Sequence, residues 1–115
     1  MTSSKMIALN FTNFNSFLES KTVLVDFWAE WCHPCKPQHR MLEELSIQYD
    51  YLLNFASVNV DDNKVIAATH GVRNLPTLIL FVNGKEVRRF IGLQNKEQLI
   101  IQLEKQLAND KINND

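Results

Sequence analysis

The chain has only two cysteines, and they stand close together at Cys32 and Cys35. A bridge between such near neighbours closes too small a loop to tie distant parts of a fold together, which excludes a structural disulfide framework. No apolar stretch reaches the roughly eighteen uninterrupted residues of a membrane-spanning helix. There is no large charge imbalance either: the formal net charge is −1, so nothing electrostatic recruits a nucleic acid or an anionic membrane. Internal repeats and linkers are also missing. The opening Met1-Thr2-Ser3-Ser4-Lys5 runs straight into a short strand-like stretch with no long apolar signal core, so the expected location is the cytoplasm.

What remains is an ordinary globular composition over 115 residues, enough for one domain with its own core. Met6 to Leu9 reads as a short strand. Thr12 to Ser20 places Phe14, Phe17 and Leu18 at helical spacing. Thr22 to Trp28 is β-branched and aromatic without alternation, as in a strand covered on both faces. Met41, Leu42, Leu45 and Tyr49 define a helix from Pro34 to about residue 50. Asn54 to Asp61 reads as a strand, Lys64 to His70 as a short helix closed by Gly71, and Thr77 to Val82 as a further strand. Asn83-Gly84 is a hairpin signal, with Glu86 to Ile91 returning. Asn95 to Leu107 carries Leu99, Ile100, Leu103 and Leu107 on a helical stripe, and the polar residues 109–115 read as a frayed tail after a domain over 1–108. Alternating strands and helices followed by a hairpin predict an α/β fold, a central mixed sheet flanked by helices on both faces.

A close cysteine pair in a reducing compartment is catalytic, redox-sensing or metal-binding. Cys32 falls at or just before a helix start, where unpaired N–H groups and the helix dipole favour a thiolate. Cys35 lies one turn further in and is expected to be the more buried sulfur. The first thiolate can attack a substrate disulfide, and the second can resolve the mixed disulfide. Pro34 stiffens the ring at a helix start that needs no N–H there. The competing reading is zinc, with Cys32, Cys35 and His39 on one face and His70 as a remote fourth ligand. Zinc sites pair such a motif with a second knuckle or helix, and none is present. A binding module with incidental thiols is a third reading. Otherwise His39 and His70 read as ordinary surface residues.

The segment Trp31-Cys32-His33-Pro34-Cys35-Lys36, preceded by Val25-Asp26-Phe27-Trp28-Ala29-Glu30, resembles the thioredoxin family. So do Leu75-Pro76-Thr77 before a strand, Asn83-Gly84, and Ile91-Gly92, and the likeness runs from about residue 5 to 108. It implies the thioredoxin fold and protein-disulfide reduction, with Cys32 as nucleophile and Cys35 as resolving thiol. The resemblance also implies that no cofactor is bound and that NADPH is used indirectly, through a thioredoxin reductase. The expected partners are that reductase and disulfide-containing proteins, with no nucleic acid, membrane or metal, and the chain is expected to be a monomer.

The resemblance also assigns supporting roles. Asp26 interrupts an apolar strand, where burial raises a carboxyl pKa; the family role is to take or relay the Cys35 proton. The plainer reading is a solvated carboxylate at a strand edge. Thioredoxins commonly carry a lysine near that aspartate, where this chain has Ser57. The resemblance implies a cis Leu75–Pro76 bond offering backbone to an extended substrate. Trp28, Trp31, Val60, Val72, Leu75, Ile91 and Gly92 would form an apolar collar, although Val60 and Ile91 can equally be core. Asn74 replaces a small residue at the substrate rim. Lys36 either favours the thiolate or is simply solvated.

His33 stands where the family has glycine. A protonated imidazole there would stabilise the Cys32 thiolate and shift the potential upward by about 30 mV per unit of thiolate pKa, toward a disulfide oxidase or isomerase. A ring pointing into solvent would do nothing.

Overall fold

A computed structural model describes residues 4–113. The first three residues of the N-terminal segment, and 114–115 of the expected tail, lie outside the described residues. The elements run β1 (Ile7–Ala8), α1 (Phe14–Leu18), β2 (Thr22–Trp28), α2 (Cys35–Gln48), β3 (Asn54–Asn59), α3 (Lys64–Thr69), β4 (Thr77–Val82), β5 (Lys85–Ile91) and α4 (Lys96–Asn113). They form the expected α/β arrangement, a five-stranded mixed sheet in the order β1-β3-β2-β4-β5. Strands β1 and β2 pair parallel with β3, while β4 runs antiparallel to both β2 and β5.

Every side chain of β2 from Val23 to Phe27 is buried. The pleat sends Val23, Val25 and Phe27 to one face, where Phe14 and Leu18 of α1, Ile66 of α3 and Phe81 of β4 meet them. It sends Leu24 to the other, against Leu42 and Leu45 of α2 and Leu99 and Leu103 of α4. Asp26 follows Leu24 by two residues, so it shares the α2 and α4 face. Its neighbours in register are Ser57 on β3 and Leu78 on β4. The hairpin between β4 and β5 turns through Asn83 at φ 53° and Gly84 at φ 81°, the two left-handed positions that a right-twisting hairpin needs.

Five boundaries stand out against the sequence expectation, three of them for local reasons. Helix α1 starts late because Asn10 and Asn13 tie up nearby backbone: Thr12 N–H and Asn13 N–H donate to Asn10 Oδ1, and Asn10 N–H to Asn13 Oδ1. It stops at Leu18 because Glu19 is already extended, at φ −61° and ψ 130°, and Ser20 follows at φ 57°. Strand β3 ends at Asn59, whose Oδ1 accepts from Asp61 N–H and turns the chain. Helix α4 passes the expected stop at Leu107 and continues to Asn113, there being no glycine or proline to end it. The expected tail from residue 109 is therefore helical through Asn113. Helix α2 begins at Cys35 with Pro34 as its cap, so Cys35 opens the helix instead of lying one turn inside it.

Leu24 is 1% exposed at the centre of the α2 and α4 face. Leu24→Ala should cost about 2–5 kcal/mol, read as a lower urea midpoint at unchanged slope.

Candidate active site

The chain leaves the buried strand β2 at Trp28 and reaches α2 through residues 29–34, a short segment that must turn sharply. It does so with successive three-residue turns: Cys32 N–H donates to Ala29 O at 3.1 Å, Cys35 N–H to Cys32 O at 3.3 Å, and Lys36 N–H to His33 O at 3.3 Å. This brings the two cysteines to a Cα separation of 5.3 Å, and their sulfurs are bonded to each other. Cys32 is 4% exposed and Cys35 not at all, the order expected for an attacking and a resolving sulfur. Among the described residues no cluster of three or more His, Cys, Asp or Glu side chains could hold a metal ion.

Ala29, Trp28, Val60 and Leu75 pack against the pair. Leu75 precedes Pro76 through a cis peptide bond. Pro76 is buried and its carbonyl accepts from Gly92 N–H at 2.8 Å, so the β5 exit is tied to the cis-proline loop. Asn74 is exposed at the same loop, its carbonyl taking the Thr77 hydroxyl at 2.5 Å. Trp31 is 69% exposed, yet its indole is oriented because Nε1 donates to Asp61 Oδ2 at 2.8 Å. Ile91 and Leu93 are exposed next to Gly92. An apolar, water-facing rim thus runs from Trp31 to the β5 exit. Val72 is half-buried and packs, as Val60 and Leu75 also do, against the α1 and α3 face of the core. His33, Pro34 and Lys36 are exposed on the outer turn, and Lys36 makes no ion pair among the described residues.

Asp26 is fully buried, which removes the reading of a solvated strand-edge carboxylate. Burial pushes its pKa up, and His39 partly offsets this. His39 Nδ1 lies 3.0 Å from Asp26 Oδ2, while Asp26 Oδ1 has no hydrogen-bond partner. The carboxylate in turn pushes the His39 pKa up. His39 is therefore not the ordinary surface residue expected, nor is His70, whose ring lies among Phe14, Phe27 and Phe81 at 5.2, 6.5 and 5.3 Å. The sequence carried a usable sign for His39: it follows Cys35 by one helical turn and so shares its face. Gln38 was missed altogether. It is fully buried, its Oε1 accepting from Gln94 N–H at 2.7 Å and its Nε2 donating to Gly92 O at 3.4 Å, so α2 holds the β5 exit in place.

With this geometry in hand, comparison with known proteins is direct. The thioredoxin family model matches residues 5–105. The chain is 49% identical to a thioredoxin of Chlamydia caviae over 88 residues, 76% of this chain and 85% of that protein. It is 46% identical to a thioredoxin of Chlamydia pneumoniae over 76% of this chain and 84% of the relative. A thioredoxin of Staphylococcus aureus is 43% identical over 83% and 91% of the two chains.

The buried pair has a consequence for stability. Asp26 and His39 both have pKa values raised in the fold, so folded protein holds protons that unfolded chain releases, first above the ordinary carboxyl value of 3.8 and then above the ordinary histidine value of 6.5. Stability contributed by both groups is thus lost as pH rises through those windows. Asp26→Asn removes the buried charge and should be increasingly more stable than wild type from acid to alkaline pH. The expected gain is on the order of 1–3 kcal/mol at the alkaline end, the range for relieving a buried unpaired polar group. Urea unfolding across pH checks this, and a constant difference would contradict it.

Proposed function

This chain belongs to the thioredoxin family and is a thiol–disulfide oxidoreductase; from that premise we propose the following division of labour among its residues and partners. The observation that carries it is the bonded Cys32–Cys35 pair at a sharp turn into α2, rimmed by exposed apolar side chains. In the reduced form Cys32 is the nucleophile. The α2 dipole favours its thiolate by about 0.3–1 kcal/mol. That is under one unit of pKa, so neighbouring side chains have room to tune it.

A substrate protein approaches as an extended segment across Trp31, Pro34, Asn74, Leu75, Pro76 and Gly92. Oriented Trp31 supplies apolar contact, and the cis-proline loop supplies backbone for strand-like pairing. The Cys32 thiolate attacks one substrate sulfur, forming a mixed disulfide and expelling the other sulfur, which takes a proton from water. Cys35 then gives its proton to Asp26, and its sulfur bonds to Cys32 as the Cys32–substrate bond breaks. The second substrate sulfur leaves as a thiolate and also takes its proton from water, so the substrate has gained two electrons and two protons. The pair, starting as one thiolate and one thiol, has lost two electrons and the one proton that Asp26 now holds. The unpartnered Oδ1 of Asp26 supports its role as the proton acceptor.

Turnover requires an external reductant of the new disulfide. We assign this to an NADPH-dependent thioredoxin reductase, so the chain itself binds no cofactor. The monomeric state and cytoplasmic location belong to the same proposal. The even charge balance supports a chain that docks on other proteins through apolar and backbone contacts without needing a nucleic acid or a membrane. His33 is exposed on the turn that joins the two cysteines, and when protonated it favours the thiolate; Lys36 adds charge of the same sign.

Two measurements test this. Cys32→Ser should lower insulin-disulfide reduction by at least about two orders of magnitude, as removal of an essential nucleophile does. Cys35→Ser should instead accumulate a covalent mixed disulfide visible by mass spectrometry; its absence would reverse the roles. Separately, His33→Gly should lower the dithiol potential measured against glutathione, by about 30 mV for each unit of thiolate pKa lost. Equal potentials would end the tuning role of His33.

A further inference from the structure

His39 follows Cys35 by one turn of α2, so the two side chains leave the same face of the helix and meet the β2 surface near Asp26. Three observations set His39 apart. Its Nδ1 lies 3.0 Å from Asp26 Oδ2, while the other carboxylate oxygen has no partner. Its side chain is 27% exposed against 0% for Asp26, so the imidazole spans the distance between a buried carboxylate and water. Its ring lies against Trp28 at a centroid distance of 5.2 Å, which limits the rotamers it can take. Ser57, opposite Asp26 on β3, carries no charge. Among the described residues His39 is the one cationic group that pairs with this carboxylate.

We propose that His39 is a positioning residue for the resolving step: it holds Asp26 as an ionised carboxylate with one oxygen free, ready to take the proton of Cys35. The inference rests on the role given above to Asp26. With the carboxylate ionised, His39 donates through Nδ1 to Oδ2, which leaves Oδ1 as the open acceptor. Cys35 Sγ–H passes its proton to Asp26, and the Cys35 thiolate closes the disulfide onto Cys32 as the substrate sulfur departs. Once Asp26 is neutral, the imidazolium has lost its partner and sheds a proton to water from its exposed side, so the buried pair does not accumulate charge. The groups that set the charge of His39 are Asp26 from β2, Glu30 from the loop after β2, and Glu43 from the next turn of α2, all favouring the imidazolium; Lys36, one turn earlier, has the opposite sign.

The direction of the effect follows from the burial of Asp26. Without the imidazolium, desolvation acts unopposed and Asp26 keeps its proton to higher pH. A protonated Asp26 cannot accept from Cys35, so the acid limb of the rate profile moves upward.

The test combines single-turnover reduction of a disulfide substrate across pH with NMR titration of the Asp26 carboxyl carbon, in wild type, His39→Ala, His39→Lys and Asp26→Asn. His39→Ala should titrate Asp26 at higher pH and slow the reaction near about pH 6 by roughly tenfold for each unit of that displacement, with the rates converging at about pH 9. His39→Lys, which restores a fixed positive charge and serves as the second variant should the alanine fold poorly, should return both readouts toward wild type. If Asp26→Asn slows the reaction while His39→Ala leaves the titration and the acid limb in place, His39 has no such role and the role of Asp26 stands. If Asp26→Asn is without effect at every pH, the role of Asp26 is wrong and the inference falls with it.

Discussion

Between Val23 and Phe27 the chain of β2 has essentially no contact with water, because helices cover both faces of the sheet. A strand so enclosed can bring functional groups to the surface only where it ends. That end is Trp28, and the turn that follows carries the two sulfurs into the start of α2. The same enclosure fixes the pleat: a slip of one residue in register would exchange Leu24 and Asp26 with Val23, Val25 and Phe27. The position of the carboxylate beneath α2 is therefore a by-product of the packing that makes the strand stable. Fold and reactivity share one constraint here.

Electrostatics at the site follow from that burial. An isolated carboxylate inside a sheet is costly, and a fold that retains one must hydrogen-bond it or keep it protonated. Here the two solutions compete. Desolvation pushes Asp26 toward its neutral form and the imidazole of His39 pulls it back, so both groups titrate higher than they would in water.

Much of this was legible in the sequence, for identifiable reasons. Strands β2 and β4 were read with their observed limits because unbroken β-branched and aromatic runs arise where both faces are covered. The hairpin was legible because Asn83 and Gly84 tolerate left-handed backbone. The cysteine motif announced its chemistry through spacing and through its place at a strand-to-helix turn. Local side-chain bonds were less legible. The asparagines at 10 and 13 shortened α1 by capturing backbone groups that a periodic pattern treats as free. Least legible were side chains whose meaning depends on a distant partner. Gln38 looks like any polar helical residue until it is seen joining α2 to Gly92 and Gln94. His39 looks like a surface histidine until the sheet brings Asp26 within hydrogen-bonding reach.

The account depends most on the claim that the two sulfurs are chemically unequal, one a ready nucleophile at the mouth of α2 and the other enclosed behind it. Alkylation of the fully reduced protein with iodoacetamide, followed as a function of pH and mapped by mass spectrometry, measures this directly. The account predicts that modification falls first and almost entirely on Cys32, with a midpoint below the value of about 8.5 for a free cysteine, while Cys35 stays protected. Equal labelling of both sulfurs, or a Cys32 midpoint no lower than that of free cysteine, would contradict it.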